Sequence, residues 1–521
     1  MRSGTDARPD RPWRVGSLPS PPPAPVAMRW LSAGLTLAGA VVLAACLLLA
    51  VVHVDDRYRL DHVAGARMAL AQYLNDGTLY PSLYDGSVYG GTRFMPLPIL
   101  LHAAVARVTG EYLVSGKLVA YGTMLALLGV VFMLLRRMRC PLPIAVGLLA
   151  AVLTTRTALW GAMGLRADTL PLLLQLLAVA AVAGSRRPAA TAGAAVLAAL
   201  AFAAKLSAVW APLAICLWLA VTDRRRLLWF LGAYGAMVAA LLGFFGAVSD
   251  GRIFENVFGL STAGLAGAGS LLRGPTALIR LMVEEATAAW ALLPAAGIAA
   301  WLAARQRQPS IHLVSLACCL LVLVVVLADI GTGWNQLVDP VVLTALVVGE
   351  LAGRSRSHPL AALAVPAALA GVLLWVTVTG LVVTVGPDAR EAVGMLRGSQ
   401  LYSRRPLFGQ ATPTTRLLSE DPYVPVSLGQ RPVVLDPFML RRLEDRDPAA
   451  VQRLVERIRD REFELVVLVV PLEPPDQEWW REIHFGTRVT RALADAYTDS
   501  GRAQGYYLYR PAPAGGTGGG G

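Results

Sequence analysis

Apolar runs of roughly bilayer-crossing length recur along most of this chain, and that recurrence constrains its fold more than any other feature. They fall at about 30–52, 113–135, 141–158, 169–184, 189–204, 208–222, 227–247, 286–303, 311–328, 337–352 and 360–385. A helix needs ~20 apolar residues to cross the hydrocarbon of a bilayer. A chain that is 55% hydrophobic, only 16% charged and of mean hydropathy +0.54 has too little polar surface to fold as soluble domains. About eleven transmembrane helices are therefore expected.

Short arginine clusters fall between alternate runs: Arg136, Arg137 and Arg139; Arg186 and Arg187; Arg224, Arg225 and Arg226; Arg305 and Arg307; Arg354 and Arg356. Cationic loops stay on the cytoplasmic side, so every cluster can be inside if the N-terminus is inside and the C-terminus outside. Arg2, Arg8, Arg11, Arg14 and Arg29 precede the first run, which agrees. With no small-residue cleavage site, that run is expected to persist as a signal anchor. The net charge of +12 thus reports topology, and a nucleic-acid partner is rejected. The cysteines, Cys46, Cys140, Cys216, Cys318 and Cys319, lie in or beside apolar runs with no zinc spacing and no disulfide framework. They read as buried thiols.

The composition divides the chain into a cytoplasmic tail (1–29), a membrane module (30–385) whose first outer loop is 53–95, an outer domain (386–512) and a Gly-rich tail (513–521). In the outer domain, helices predicted at 388–397, 448–461 and 487–498 alternate with strand-like RPVVLDP, FELVVLVVP and GYYLYRP, the pattern of a small α/β fold.

The first loop is polar and aromatic beyond any structural need of a membrane bundle. It holds Asp55, Asp56, Asp61 and Asp76, then GGTRF with Arg93. Asp61 precedes HVAGARMALAQYLN, whose Val63, Ala66, Leu70, Tyr73 and Leu74 make one apolar stripe suited to a helix on the membrane surface. Asp61 can cap that helix. A partly desolvated carboxylate there can also take a proton from a hydroxyl, and the two roles are compatible. Asp55 and Asp56 compete for the second. Arg93, Arg166 and Lys205 all map to outer helix ends; singly they read as snorkelling side chains, together as a set fit for a phosphate. Asn335 and Asp339 open a late run, as an ordinary polar turn or as part of the same site. His102 reads as a packing histidine, Glu284 and Glu285 as a solvated helix end. There is no P-loop, HExxH, GxSxG or kinase set, so an activated group would come from the membrane itself.

The order of these residues resembles the GT-C superfamily of polytopic glycosyltransferases, which includes protein O-mannosyltransferases and aminoarabinose transferases. Asp61 is followed by Gly77 and Tyr80; Met95-Pro96-Leu97 leads into a half-buried helix; Arg166-Ala167-Asp168 opens a run, Lys205 ends one, and Asn335 with Asp339 opens another. Members often carry Asp-Glu where this chain has Asp61-His62. The resemblance implies an inverting transfer of a sugar from a polyprenyl-phosphate donor to a hydroxyl of a cell-envelope acceptor, on the outer face of a bacterial plasma membrane. Asp61, Asp55 or Asp56 would be the base. Arg93, Tyr80, Arg166, Asp168, Lys205, Asn335 and Asp339 would bind substrate. No cofactor is implied and no metal ligand is assigned, with a divalent ion left open. The alternatives are a transporter or flippase of a lipid-linked or anionic substrate, and a non-catalytic envelope assembly factor.

Overall fold

The computed structural model describes residues 26–85, 87–261, 272–306, 310–355, 359–404 and 411–513. The expectations for most of the N-terminal tail and for the Gly-rich tail, Arg307 and Arg356 lie outside them.

Helices occur where the apolar runs are: α1 (Val26–Val52), α2 (His62–Asn75), α3 (Pro96–Thr109), α4 (Tyr112–Arg137), α5 (Leu142–Leu153), α6 (Arg156–Met163), α7 (Thr169–Gly184), α8 (Pro188–Ala204), α9 (Trp210–Thr222), α10 (Arg224–Val248), α11 (Arg273–Glu285), α12 (Thr287–Arg305), α13 (Ile311–Val326), α14 (Val338–Ser355), α15 (Pro359–Gly380) and α16 (Gly386–Leu396). Among the described residues, six helical spans suffice by length and composition to cross a membrane: α1, α4, α10, α12, α14 with its preceding turn, and α15 running on into α16. The run at 141–158 is two helices bent by 72°. The break falls at Thr155, whose hydroxyl accepts from the Ala158 amide and restarts the helix. The runs at 169–184, 189–204, 208–222 and 311–328 form the shorter helices α7, α8, α9 and α13. A 16-residue helix spans about 24 Å, less than the ~30 Å of hydrocarbon.

α7 packs on α8, α8 on α10, α1 on α5, α9 on α13 and α12 on α14, around a continuous apolar core that includes Leu127, Leu148, Leu172, Trp210 and Leu346. Glu285 is not a solvated helix end: its carboxylate accepts from Arg156 Nη1 at 2.9 and 3.0 Å.

The α/β module carries β1 (Leu417–Ser419), α17 (Tyr423–Ser427), α18 (Pro437–Arg446), α19 (Pro448–Arg459), β2 (Leu465–Leu468), α20 (Thr487–Ala496), β3 (Tyr497–Ala503) and β4 (Tyr506–Pro511). The sheet order is β1-β2-β4-β3, with β1 parallel to β2 and the other pairs antiparallel. RPVVLDP is not a strand of it. Val434 makes one isolated bridge to Tyr89 of the first loop, and Asp436 then caps α18, accepting from the Phe438 and Met439 amides. The apolar run there fastens the loop to the module.

A second core shows the same union. Leu70, Tyr80, Ile99 and Leu165 from the membrane side pack with Tyr423, Val426 and Leu435 from the module. α2 is accordingly buried on most of its circumference, including Ala64, Met68, Leu70 and Tyr73, and does not lie as a one-sided surface helix. Gly65 permits this: a Cβ there would stand 2.4 Å from the Tyr423 amide nitrogen and 2.7 Å from Asp421 Oδ1.

Candidate active site

A cavity of about 610 Å3 lies between the helical bundle and the α/β module. Its lining includes apolar Ile99, Leu165, Leu170 and Val326 and a set of charged side chains, and the α/β module contributes Asp436, Phe438 and Ile483. Four basic side chains from separate segments line it, Arg67, Arg93, Arg166 and Lys205, together with the acids Asp61, Asp168, Asp329 and Asp436. The cradle is therefore charge-balanced and not purely cationic. Buried charges persist when they are paired, and three of the four cations are.

Asp61 joins both of its expected roles in one geometry. Its Oδ1 accepts from the Ala64 amide at 3.0 Å and caps α2; its Oδ2 accepts from Arg166 Nη2. About a third of its side chain is open to solvent. Burial would push this carboxyl up, but Arg166, His62 and the Ala64 amide together hold it below the usual range.

Asp168 stands at the start of α7, almost wholly buried. Its Oδ1 accepts from Lys205 Nζ at 2.6 Å and from Asn335 Nδ2 at 3.0 Å. Burial again opposes ionisation, yet Lys205, Arg67 and Arg166 bring Asp168 down to about 2. The turn before α14 thus delivers Asn335 to the same acid that orients Lys205.

Arg93 donates to Asp329 Oδ2 at 3.1 Å and to the Gly331 carbonyl at 2.6 Å, with its guanidinium 5.2 Å from the Phe438 ring centre. Gly331 has no room for a side chain: a Cβ would meet Arg93 Nη2 at 2.2 Å and Phe438 Cζ at 2.6 Å.

Other expected site residues stand outside the cavity wall. Asp55 is mostly exposed and pairs with Arg404 at 3.0 Å. Asp56 is buried against His53 Nδ1 at 2.6 Å and Lys117 Nζ at 3.3 Å, a structural knot beneath the loop. Tyr80 donates to the Phe94 carbonyl at 2.8 Å and so braces the Arg93 segment. Asp339 lies one step deeper, accepting from Trp210 Nε1 at 2.7 Å. His102 does pack, its Nε2 2.7 Å from the Tyr112 carbonyl, although it also reaches the wall.

Sequence reasoning missed Arg67, Asp329 and the roof residues. Arg67 is the informative one. Among the described residues it has no carboxylate partner; it makes a long 3.4 Å contact to the Leu165 carbonyl and stands 5.0 Å from the Phe94 ring centre. Most of its five donors are free for a ligand. The only signal was a charged residue in a helix otherwise buried.

No protein-family model and no curated protein matches the chain. Among solved structures, ArnT from Cupriavidus metallidurans in the apo state superposes with a TM-score of 0.60 at 14% identity, covering 93% of this chain and 98% of ArnT. ArnT bound to undecaprenyl phosphate superposes at 0.57 and 13% identity over the same shares. The likeness spans bundle and roof alike, and ArnT belongs to the GT-C membrane glycosyltransferases. This chain has the GT-C fold.

Proposed function

We propose that the protein is a membrane glycosyltransferase that moves a sugar from a polyprenyl-phosphate donor to a hydroxyl of a cell-envelope acceptor, with inversion at the anomeric carbon. The observation that supports this best is the Asp61–Arg166 pair in a cavity lined both by apolar side chains and by Arg67, Arg93 and Lys205. An isoprenoid tail suits the apolar lining and its phosphate the basic side chains. ArnT, of the same fold, has been seen with undecaprenyl phosphate.

Arg67 offers the entering phosphate its first donors, since its fork is uncommitted. Arg166 can then exchange Asp61 for a phosphate oxygen, which frees the Asp61 carboxylate as base. The acceptor hydroxyl gives its proton to Asp61 as its oxygen bonds to the anomeric carbon, and the bond from that carbon to the phosphate oxygen breaks on the opposite face. The electron pair goes to the phosphate, whose charge the preorganised cations stabilise in a dry site. These cations can supply the charge a metal would otherwise supply, so EDTA is expected to leave the rate unchanged. α4 begins beside His102, which lines the cavity, and ends at Arg136 and Arg137. Under the positive-inside rule the cavity and its roof face outward.

Tritiated undecaprenyl-phosphate-linked hexoses and pentoses, given to the purified protein in proteoliposomes with envelope extract, test the reading. Sugar incorporation with release of undecaprenyl phosphate is expected. Movement of intact donor across the vesicle without release would replace it with a transporter.

Gly331→Ala probes the phosphate side alone. The new methyl group displaces Arg93 without touching Asp61, and misplacing a positioned group by about 1 Å costs up to ~100-fold. A drop of roughly 10- to 100-fold in kcat/KM for donor is expected, in steady-state assays.

A further inference from the structure

The roof of the cavity brings a second polar assembly against α2. Glu420, next after β1, is buried and saturated with donors: Oε1 accepts from Trp479 Nε1 at 2.7 Å and Oε2 from the Val469 amide at 2.7 Å. His484 Nδ1 stands 2.7 Å from Oε1, and we assign the N–H to Nδ1, donating to the carboxylate. The opposite ring nitrogen of His484, Nε2, then carries a lone pair, and it is buried with no hydrogen-bond partner among the described residues. Its neighbour is His62. The two rings meet edge to face, centroids 4.4 Å apart and planes at 78°. His62 follows Asp61 in the chain and, like it, lines the cavity.

A base that has taken a proton must lose it before the next turnover. Asp61, with one oxygen fixed to the Ala64 amide and the other facing Arg166, is a poor place to keep one. We propose that His62 receives that proton from Asp61, and that His484, held by Glu420, positions the His62 ring. This rests on the transferase reading above. In the step, protonated Asp61 gives its proton to the free lone pair of His62, leaving a carboxylate and an imidazolium; the imidazolium then loses a proton to water at the cavity mouth. The charges that favour the imidazolium are Asp61 on its own segment and Asp436 and Glu420 from the roof.

Ionisable groups facing His62 are Asp61 on its own segment and His484, Asp436 and Glu420 from the roof; Asp61 and Glu420 face His484. Burial brings His62 down to about 4 and His484 to about 3. Both rings are neutral at rest, as a proton acceptor and its support must be.

The roof is thereby a part of turnover and not only a cover. The test uses the full-length protein in proteoliposomes with the labelled donors. His62→Ala is expected to lower kcat by at least ~10-fold, short of the 10²–10⁴ expected for a primary base, with donor KM and thermal midpoint unchanged. Added imidazole, small enough for the vacated space, should restore most of the rate in that variant and do nothing for wild type. His484→Gln should lower kcat and shift its pH profile without altering donor KM. Full-rate turnover by His62→Ala, or a loss that imidazole does not repair, overturns the proposal. Should His484→Gln fail to fold, the imidazole rescue decides alone. A wild-type protein that transfers no sugar overturns this inference together with the transferase reading, whereas a working wild type with an indifferent His62 overturns this inference alone.

Discussion

Asp61→Asn abolishes sugar transfer, with kcat reduced ~10²- to 10⁴-fold, the range for loss of a general base, while the protein inserts and folds as before. The substitution is chosen for what it keeps. Asp61 is both cap and candidate base. Asparagine caps a helix about as well as aspartate, so the start of α2 and the core beneath it survive. What goes is the negative charge that holds Arg166 and the lone pair that receives the acceptor proton. Asp61→Ala serves as the contrast: it loses activity equally and in addition gives up about 1 kcal/mol of helix capping, visible as a lower thermal midpoint. If Asp61→Asn turns over at the wild-type rate, the base lies elsewhere and the proposed chemistry fails.

The pH dependence carries the same idea further. In the free protein Arg166 keeps Asp61 ionised to below the ordinary carboxylate range. A base must be ionised, so activity is lost as pH falls through its pKa. For kcat/KM, which reports the free enzyme, that acidic limb should sit low. For kcat, which reports the donor complex, Arg166 has turned to the phosphate and the nearby anion disfavours a second negative charge. The acidic limb of kcat should therefore lie at higher pH than that of kcat/KM, measured in one buffer series. Coincident limbs would mean that Arg166 does not change partners.

The fold was largely legible because hydrophobic periodicity and arginine placement report directly on helices and their ends. Boundaries were less so where a side chain intervenes, as at Thr155, which restarts a helix inside an unbroken apolar run. In the α/β module, RPVVLDP read as a strand because Val433, Val434 and Leu435 are apolar; their backbone pairs with Tyr89 of the first loop and not with the sheet, a contact that no local pattern encodes. Asp61, Arg93, Arg166, Asp168, Lys205 and Asn335 do converge on one cavity, as their positions at outer helix ends implied. Local reading could not separate Asp61 from Asp55 and Asp56, because only the fold turns Asp55 to Arg404 and Asp56 to His53 and Lys117. Arg67 escaped notice since a lone arginine on a helix has no signature until its neighbours prove to be Phe94 and a backbone carbonyl. His62 and His484 are 422 positions apart, and nothing in either segment announces the other.

Lys205→Met should cost both stability and activity, and the two losses can be pulled apart. Lys205 is the direct charge partner of Asp168, whose side chain is only 5% exposed. Removing one member of a buried pair leaves an uncompensated charge, at a cost of about 3–5 kcal/mol; Asn335, Arg67 and Arg166 nearby put the expectation at the lower end, about 3 kcal/mol. The thermal midpoint in detergent should fall accordingly. Asp168→Asn added to Lys205→Met removes the stranded charge and should return most of that stability, since an amide can still accept from Asn335. Activity should not return with it. A phosphate leaving group needs the ammonium, and an isosteric thioether chain offers neither charge nor donor, so the double variant should remain at least ~100-fold below wild type in kcat, the range for removal of one charge-stabilising group from a preorganised site. A double variant that recovers stability and turnover together would show that Lys205 serves the fold alone, and would leave Arg67 and Arg166 as the charges that face the departing phosphate.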